Sequence, residues 1–156
     1  MGRRVVVTGL GMLSPLGNSV EESWAAAVAG KSGIRLADCD LSQCKSKISG
    51  SVRGFDATEY MPAKDARRTD TFIHFAIAAA AQAMADADLQ VTADNAARIG
   101  VALGSGIGGL PMIDKSCQVF REKGARRVSP FFIPAIIINM AAGYVSIYHG
   151  LKGPNI

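Results

Sequence analysis

Three cysteines, Cys39, Cys44 and Cys117, and two histidines, His74 and His149, have the widest chemical range of any side chains in this sequence. A cysteine nucleophile needs an electropositive setting and a base within reach. A zinc site needs four nitrogen or sulfur ligands at short, regular spacings. An odd number of cysteines without a Cys-x-x-Cys pair, beside two distant histidines, provides neither a metal site nor a disulfide framework. The thiols read as free side chains in a reducing cytoplasm. No serine stands in a Gly-x-Ser-x-Gly elbow and no His-Glu-x-x-His is present. The helical stretches hold no paired carboxylates suited to acid–base work. The residues alone therefore point to no catalytic group, no metal and no cofactor. His74, on an otherwise apolar helix, and His149 read as structural residues.

Two glycine-rich turns leave a choice. Gly9-Leu10-Gly11 and Gly104-x-Gly106-x-x-Gly109 each follow an apolar run, as in a dinucleotide fingerprint. That motif needs its last small residue at the helix start, where the phosphates meet the helix N-terminus. At the first turn, Pro15, Gly17 and Asn18 push the helix to about residue 20. At the second, Pro111 follows closely, and no acidic residue ends a second strand. Both features weigh against a nucleotide. The other reading is that the glycines let backbone pass close to backbone.

Two basic clusters stand next to apolar elements. Lys64, Arg67 and Arg68 precede a long helix, while Arg126 and Arg127 precede Ser129-Pro130-Phe131-Phe132. Each alone is compatible with a solvated face. Together they could form one docking surface for an acidic partner, if the fold brings them together.

The elements that must position these residues can be read from pattern. Arg4 to Thr8 is a β-branched run, expected as a buried strand. Ser19 and Glu22 have capping-box spacing, so a helix should start near Val20 and stop at Gly30. Residues 31 to 62 lack a long period, and Ile48 to Val52 is their best strand. From about Asp70 to Ala87 the apolar residues fall on one broad helical face, with alanines that let another backbone approach. Arg98 to Leu103 is a further strand candidate. Strand and helix alternate overall, which favours an α/β layered fold.

Composition supports a globular chain: 49% of the 156 residues are hydrophobic and 19% charged. Seventeen basic against thirteen acidic residues give a net charge of +4, which is mild and does not point to nucleic acid. No secretory signal opens the sequence. From 128 to 151 there is no charged side chain, long enough on paper to cross a bilayer. Pro130, Pro134, Asn139 and Gly143 interrupt it, so burial, as at a subunit interface, is expected instead of a membrane span.

Several stretches together are more specific than any motif above. Arg3 to Gly17, Ala29 to Ile34, Ile99 to Gly109, Arg126 to Pro134, Ile138 to Met140 and His149 to Ile156 closely resemble the β-ketoacyl-acyl carrier protein synthase II family. The resemblance runs the length of the chain. It implies a thiolase-like layered αβαβα fold, of which residues 1–156 are most of the first α/β half. It implies an acyltransferase that elongates fatty acyl chains by decarboxylative condensation with malonyl-carrier protein. In the family the nucleophile cysteine follows the stretch resembling Gly150 to Ile156, and two histidines lie far downstream. None of the three cysteines or two histidines here matches them, so the chain as given is expected to be inactive.

Other roles carried by the resemblance are pocket and surface. Ile107 matches a residue gating the acyl channel, and Phe132 and Ile133 match residues lining the acyl pocket, partly across a homodimer. Lys64, Arg67, Arg68, Arg126 and Arg127 match positions that face the acidic acyl carrier protein in its acyl- and malonyl-loaded forms. A cytoplasmic location fits this role. The alternative is a noncatalytic fragment or interaction module that binds carrier protein or a partner half.

Overall fold

Capping starts the first helix where the spacing predicts. The Ser19 hydroxyl accepts the Glu22 N–H at 3.1 Å, and Glu22 Oε2 accepts the Asn18 N–H at 2.8 Å. These bonds satisfy donors that a first helical turn cannot pair internally. Helix α1 runs Val20–Val28 and is closed by Gly30, whose φ of +65° is the left-handed value a helix stop favours. The computed structural model describes residues 2–156. After α1 come two short antiparallel strands, β1 (Arg35–Leu36) and β2 (Ile48–Ser49), paired Leu36 to Ile48. The strand expected at Ile48 to Val52 thus forms, but only its first two residues pair. Helices α2 (Ala63–Ala66), α3 (Thr71–Asp86), α4 (Leu110–Lys123), α5 (Phe132–Ile136) and α6 (Met140–His149) follow.

The backbone divides into two compact units. One comprises the chain up to Asp56 with Ala81–Leu89; the other comprises Ala57–Ala80 with Gln90–Ile156. In the first unit, residues 9 to 12 lie against the end of α3. A Cβ on Gly9 would run into the Ala83 carbonyl and come within 2.8 Å of Ala87 Cβ. The Leu10 N–H donates to Asp86 Oδ2 at 2.8 Å, and the Met12 N–H to Gln82 Oε1 at 2.9 Å. Glycine on one side and alanine on the other allow this approach, as the alanine content of the helix predicts.

One expectation is overturned here. Arg4 to Thr8 is not a buried strand: Val5, Val6 and Val7 are 89%, 60% and 79% exposed. A strand is held by its neighbour's hydrogen bonds, and no stretch among the described residues pairs with this one. β-Branched residues raise strand propensity, but propensity does not supply the partner.

The second unit has its core around α3 and α6. Ile73 and Ile77 are fully buried and cluster with Met61, Ala76, Ala141 and Val145. The strand expected at Arg98 to Leu103 does not form as such: Ala96–Arg98 is a 3-10 turn, and only Val101 makes an isolated parallel bridge, to Asn155, at the chain's end. The Val101 N–H donates to the Pro154 carbonyl at 2.8 Å, and the Ile156 N–H returns to Val101 at 2.9 Å. Asn155 Nδ2 ties this edge to α6 by donating to the Ala142 carbonyl at 3.0 Å. The uncharged 128–151 stretch is half inside. Ala135, Ala141, Ala142 and Val145 are buried, whereas Ile133 and Ile147 are 55% and 70% exposed. No helix among the described residues is long and apolar enough to cross a membrane.

Two stability outcomes follow from this packing. Gly9→Ala should destabilise by about 1–3 kcal/mol, since the new methyl meets helix backbone and the short, rigid Ala87 side chain, neither of which can swing aside. Gly2→Ala, where a Cβ meets nothing within 4 Å, should leave the urea midpoint unchanged. Equal midpoints for the two variants would refute the close approach at Gly9.

His149 ends α6 with its Nε2 buried and without a hydrogen-bond partner among the described residues, and burial lowers its pKa below the usual 6.5. The unfolded chain therefore takes up a proton first as pH falls. This contribution is complete above pH 6.5 and is lost as pH drops through that value toward the lower folded pKa. The urea midpoint should decline between about pH 7.5 and 5, and His149→Phe should flatten the decline. An identical pH profile in the variant would show that His149 does not contribute.

Candidate functional site

The basic residues of the second unit are set by a short, strongly tied turn. Helix α2 carries Lys64, and Arg67 and Arg68 follow at its C-terminal end. Thr69 closes that end: its N–H and its hydroxyl both bond the Asp65 carbonyl, the hydroxyl at 2.8 Å. With that proton committed, Thr69 Oγ1 accepts from His74 Nε2 at 3.0 Å, which anchors the turn to α3. Burial lowers the His74 pKa, against a smaller opposing effect of the Ala66 and Thr69 carbonyls and Asp70. His74 is thus a neutral structural donor, as its apolar helix implied.

Asp65 and Asp70, the two carboxylates flanking Arg67 and Arg68, both point inward. Asp65 Oδ2 accepts the Tyr148 hydroxyl at 2.7 Å. Burial first, and the Asp65 carboxylate second, push the Tyr148 pKa well above the usual tyrosine value. Asp70, itself buried, accepts the Met112 N–H at 2.8 Å, in the first turn of α4. That turn begins at Leu110, directly after the glycine-rich loop, and is a helix the sequence reading did not place. Pro111 in the first turn, Arg121 and Lys123 in the last, and Gly124 at φ +77° were the available signals.

The same geometry decides between the two readings of Gly104 to Gly109. A Cβ on Gly109 would stand 2.9 Å from Ile136 Cα, and the Gly109 N–H donates to the Ile136 carbonyl at 3.0 Å. Gly108 has φ +82° and also faces Ile136. Backbone therefore passes close to backbone here. The N-terminus of α4, where a phosphate would have to sit, already holds the chain's own carboxylate.

The fold brings the two basic clusters together. Arg67 and Arg68 line a pocket of about 220 Å³ with Arg127, which leaves the short 3-10 turn Ala125–Arg127. Its apolar wall includes Phe131, Phe132 and Ala135. The Arg68 guanidinium lies 4.3 Å from the Phe131 ring centroid, a cation–π arrangement that orients it. Lys115, one turn into α4, is a fourth cation here that the sequence reading missed, because the helix presenting it was not foreseen. No ion pair among the described residues involves these four side chains; the one present joins Arg53 to Asp38 in the other unit. Lys64 and Arg126 are exposed but do not line the pocket.

The three expected acyl-pocket residues differ in exposure. Phe132 is half-buried and also lines an adjoining apolar groove with Cys117 and Phe120. Ile107 and Ile133 are exposed and belong to neither cavity. All three cysteines are exposed, and no hydrogen bond joins a cysteine to a histidine among the described residues. No cluster of metal-ligating side chains occurs among the described residues.

Comparison with known proteins agrees with this architecture. Residues 2–156 match the model of the β-ketoacyl synthase N-terminal domain. The chain is 56% identical over 155 residues to 3-oxoacyl-[acyl-carrier-protein] synthase 2 of Vibrio cholerae, and 50% identical to the corresponding Coxiella burnetii protein. It covers 99% of itself but 37% of each relative, so it spans little more than a third of their length. Its fold superposes on a β-ketoacyl synthase from Burkholderia phymatum with a TM-score of 0.80 at 28% identity, covering 97% of this chain and 38% of that one. A type II polyketide synthase acyl-carrier protein in complex with its ketosynthase gives 0.79 at 25% identity, covering 97% and 41%. The mixed α/β arrangement is therefore an N-terminal half of the thiolase-like fold that the sequence led us to expect. By sequence and by fold, the chain belongs to the β-ketoacyl synthase family, as its N-terminal domain.

Proposed function

We propose that this chain serves as part of a 3-oxoacyl-[acyl-carrier-protein] synthase, in which it supplies the surface that receives acyl carrier protein. The observation that carries this reading is the convergence of Arg67, Arg68, Lys115 and Arg127 on one pocket, beside Phe132 and without an ion pair among the described residues. Such a cluster attracts an acidic protein over distance, while the aromatic wall gives the delivered acyl chain an apolar place to enter. In the reaction of such an enzyme, a malonyl thioester loses CO2, and its carbanion attacks an acyl group held on a cysteine, whose thiolate leaves. The three exposed cysteines here, none bonded to a histidine, are not suited to that role. The chain therefore docks carrier protein without condensing acyl groups, in the cytoplasm.

Mixed with acyl- and malonyl-loaded carrier protein, the chain should bind both and form no β-ketoacyl product. Arg67→Glu with Arg68→Glu should slow association about tenfold or more at low ionic strength, with little change in dissociation. The effect should shrink as salt approaches about 0.15 M, where exposed charges are screened beyond roughly 8 Å. An unchanged association rate in stopped-flow at low salt would remove this surface from consideration, and product above a no-enzyme control would reverse the reading of the cysteines.

A homodimer is the second part of the proposal. Ile133, Ile138 and Ile147 are exposed on a stretch without a single charge, a surface that a monomer would leave sticky. A permanent dimer covers such residues with an interface resembling a divided core. Ile133→Lys should then yield monomer or aggregate in sedimentation, because a buried unpaired charge costs several kcal/mol. A stable dimer in this variant would place the interface elsewhere.

A further inference from the structure

The basic surface contains its own potential inhibitor. Asp65 lies within the α2 turn, one residue after Lys64 and three before Arg68. That i, i+3 spacing is one at which a carboxylate and a guanidinium meet on a helix. They do not meet here. Arg68 stacks on Phe131 instead, and no ion pair joins Asp65 to Lys64, Arg67 or Arg68 among the described residues. Across the unit, eighty-three residues along the chain, the Tyr148 hydroxyl on α6 donates to Asp65 Oδ2 at 2.7 Å. Tyr148 is itself held in the core beside Tyr144, with ring centroids 6.4 Å apart.

We propose that Tyr148 is a positioning residue for the basic surface, holding the Asp65 carboxylate inward so that the cluster cannot neutralise itself. The Asp65 backbone carbonyl receives both Thr69 donors, a role that does not depend on its side chain, so the carboxylate can be altered without losing this anchor. Released, its side chain would stand three positions from Arg68, a spacing at which the two side chains can pair. A hydrogen bond from a neutral hydroxyl satisfies that carboxylate without spending a cation on it, as an arginine partner would. Asp70, two residues after Arg68, is treated alike, its carboxylate given to the Met112 N–H of α4. Both acids beside the arginines are thus satisfied by internal donors that carry no charge. The cations stay free for an acidic partner.

The inference rests on the docking reading above, and the variants separate the two. Association with acyl carrier protein is followed by stopped-flow at low ionic strength, with circular dichroism to confirm folding. Tyr148→Phe removes one oxygen atom, frees Asp65 to pair with Arg68, and should slow association about two- to fivefold, an effect that fades with salt. Asp65→Asn should associate at least as fast as the unaltered chain, since the amide oxygen still accepts from Tyr148. The decisive chain carries both Asp65→Asn and Tyr148→Phe. If released charge is the cause, this double variant recovers the normal rate, although the hydrogen bond is still missing. If Tyr148 is merely structural, the double variant is as slow as Tyr148→Phe, and the inference falls. Failure of Tyr148→Phe to fold would also overturn it, by making the bond a requirement of the fold. Slow association in the Arg67→Glu, Arg68→Glu chain with a normal rate in Tyr148→Phe would sink this inference alone. A normal rate in both would sink the docking reading with it.

Discussion

The second unit depends on one buried carboxylate. Asp70 stands where α3 begins, its backbone carbonyl receiving the Ile73 N–H, and its side chain receives the Met112 N–H of α4 at 2.8 Å. A buried carboxylate is costly unless hydrogen-bonded, and a bond to a charged acceptor is worth about 1.5–3 kcal/mol. The N-terminal turn of a helix adds a favourable dipole. One residue thus fixes the start of two helices, and with them the separation between Arg67 and Arg68 on one side and Lys115 on the other. The Gly109 loop can follow only because Ile136 meets no Cβ there. Pocket, aromatic wall and cation placement are all downstream of that joint.

What the sequence made legible was local. The Ser19 and Glu22 cap, the Gly30 stop and the apolar face of α3 each involve residues within a few positions of one another, where periodicity and capping rules operate. The alanines of α3 even announced a close backbone neighbour, and Gly9 is that neighbour. The likeness to a family carried the fold class, because matching stretches along the whole chain constrain more than any single motif.

What was not legible depends on bonds between distant residues. Asp70 to Met112 spans 42 positions and Tyr148 to Asp65 spans 83. No propensity reports them, so the meeting of the two basic clusters could only be posed as a question, whereas α4, and with it Lys115, was missed although Pro111 and Gly124 bracket it locally. The valines at 5 to 7 fail in the opposite direction. They have the strongest strand composition in the chain, yet a ladder needs two partners and propensity describes one.

The uncharged stretch after Arg127 shows how a single compositional signal can conceal two physical roles. Read as a string, residues 128 to 151 are uniformly without charge. In the fold, size and helical position divide them. Ala135, Ala141 and Ala142 turn inward, small enough for close-packed neighbours, and Val145 continues the same face one turn on from Ala141. Ile138 and Ile147 turn outward, where a large apolar side chain gains nothing from its own chain. Core packing accounts for the first set and leaves the second unexplained. The absence of charge across both therefore spans two physical settings, an interior built on small residues and an exterior that keeps large apolar side chains exposed.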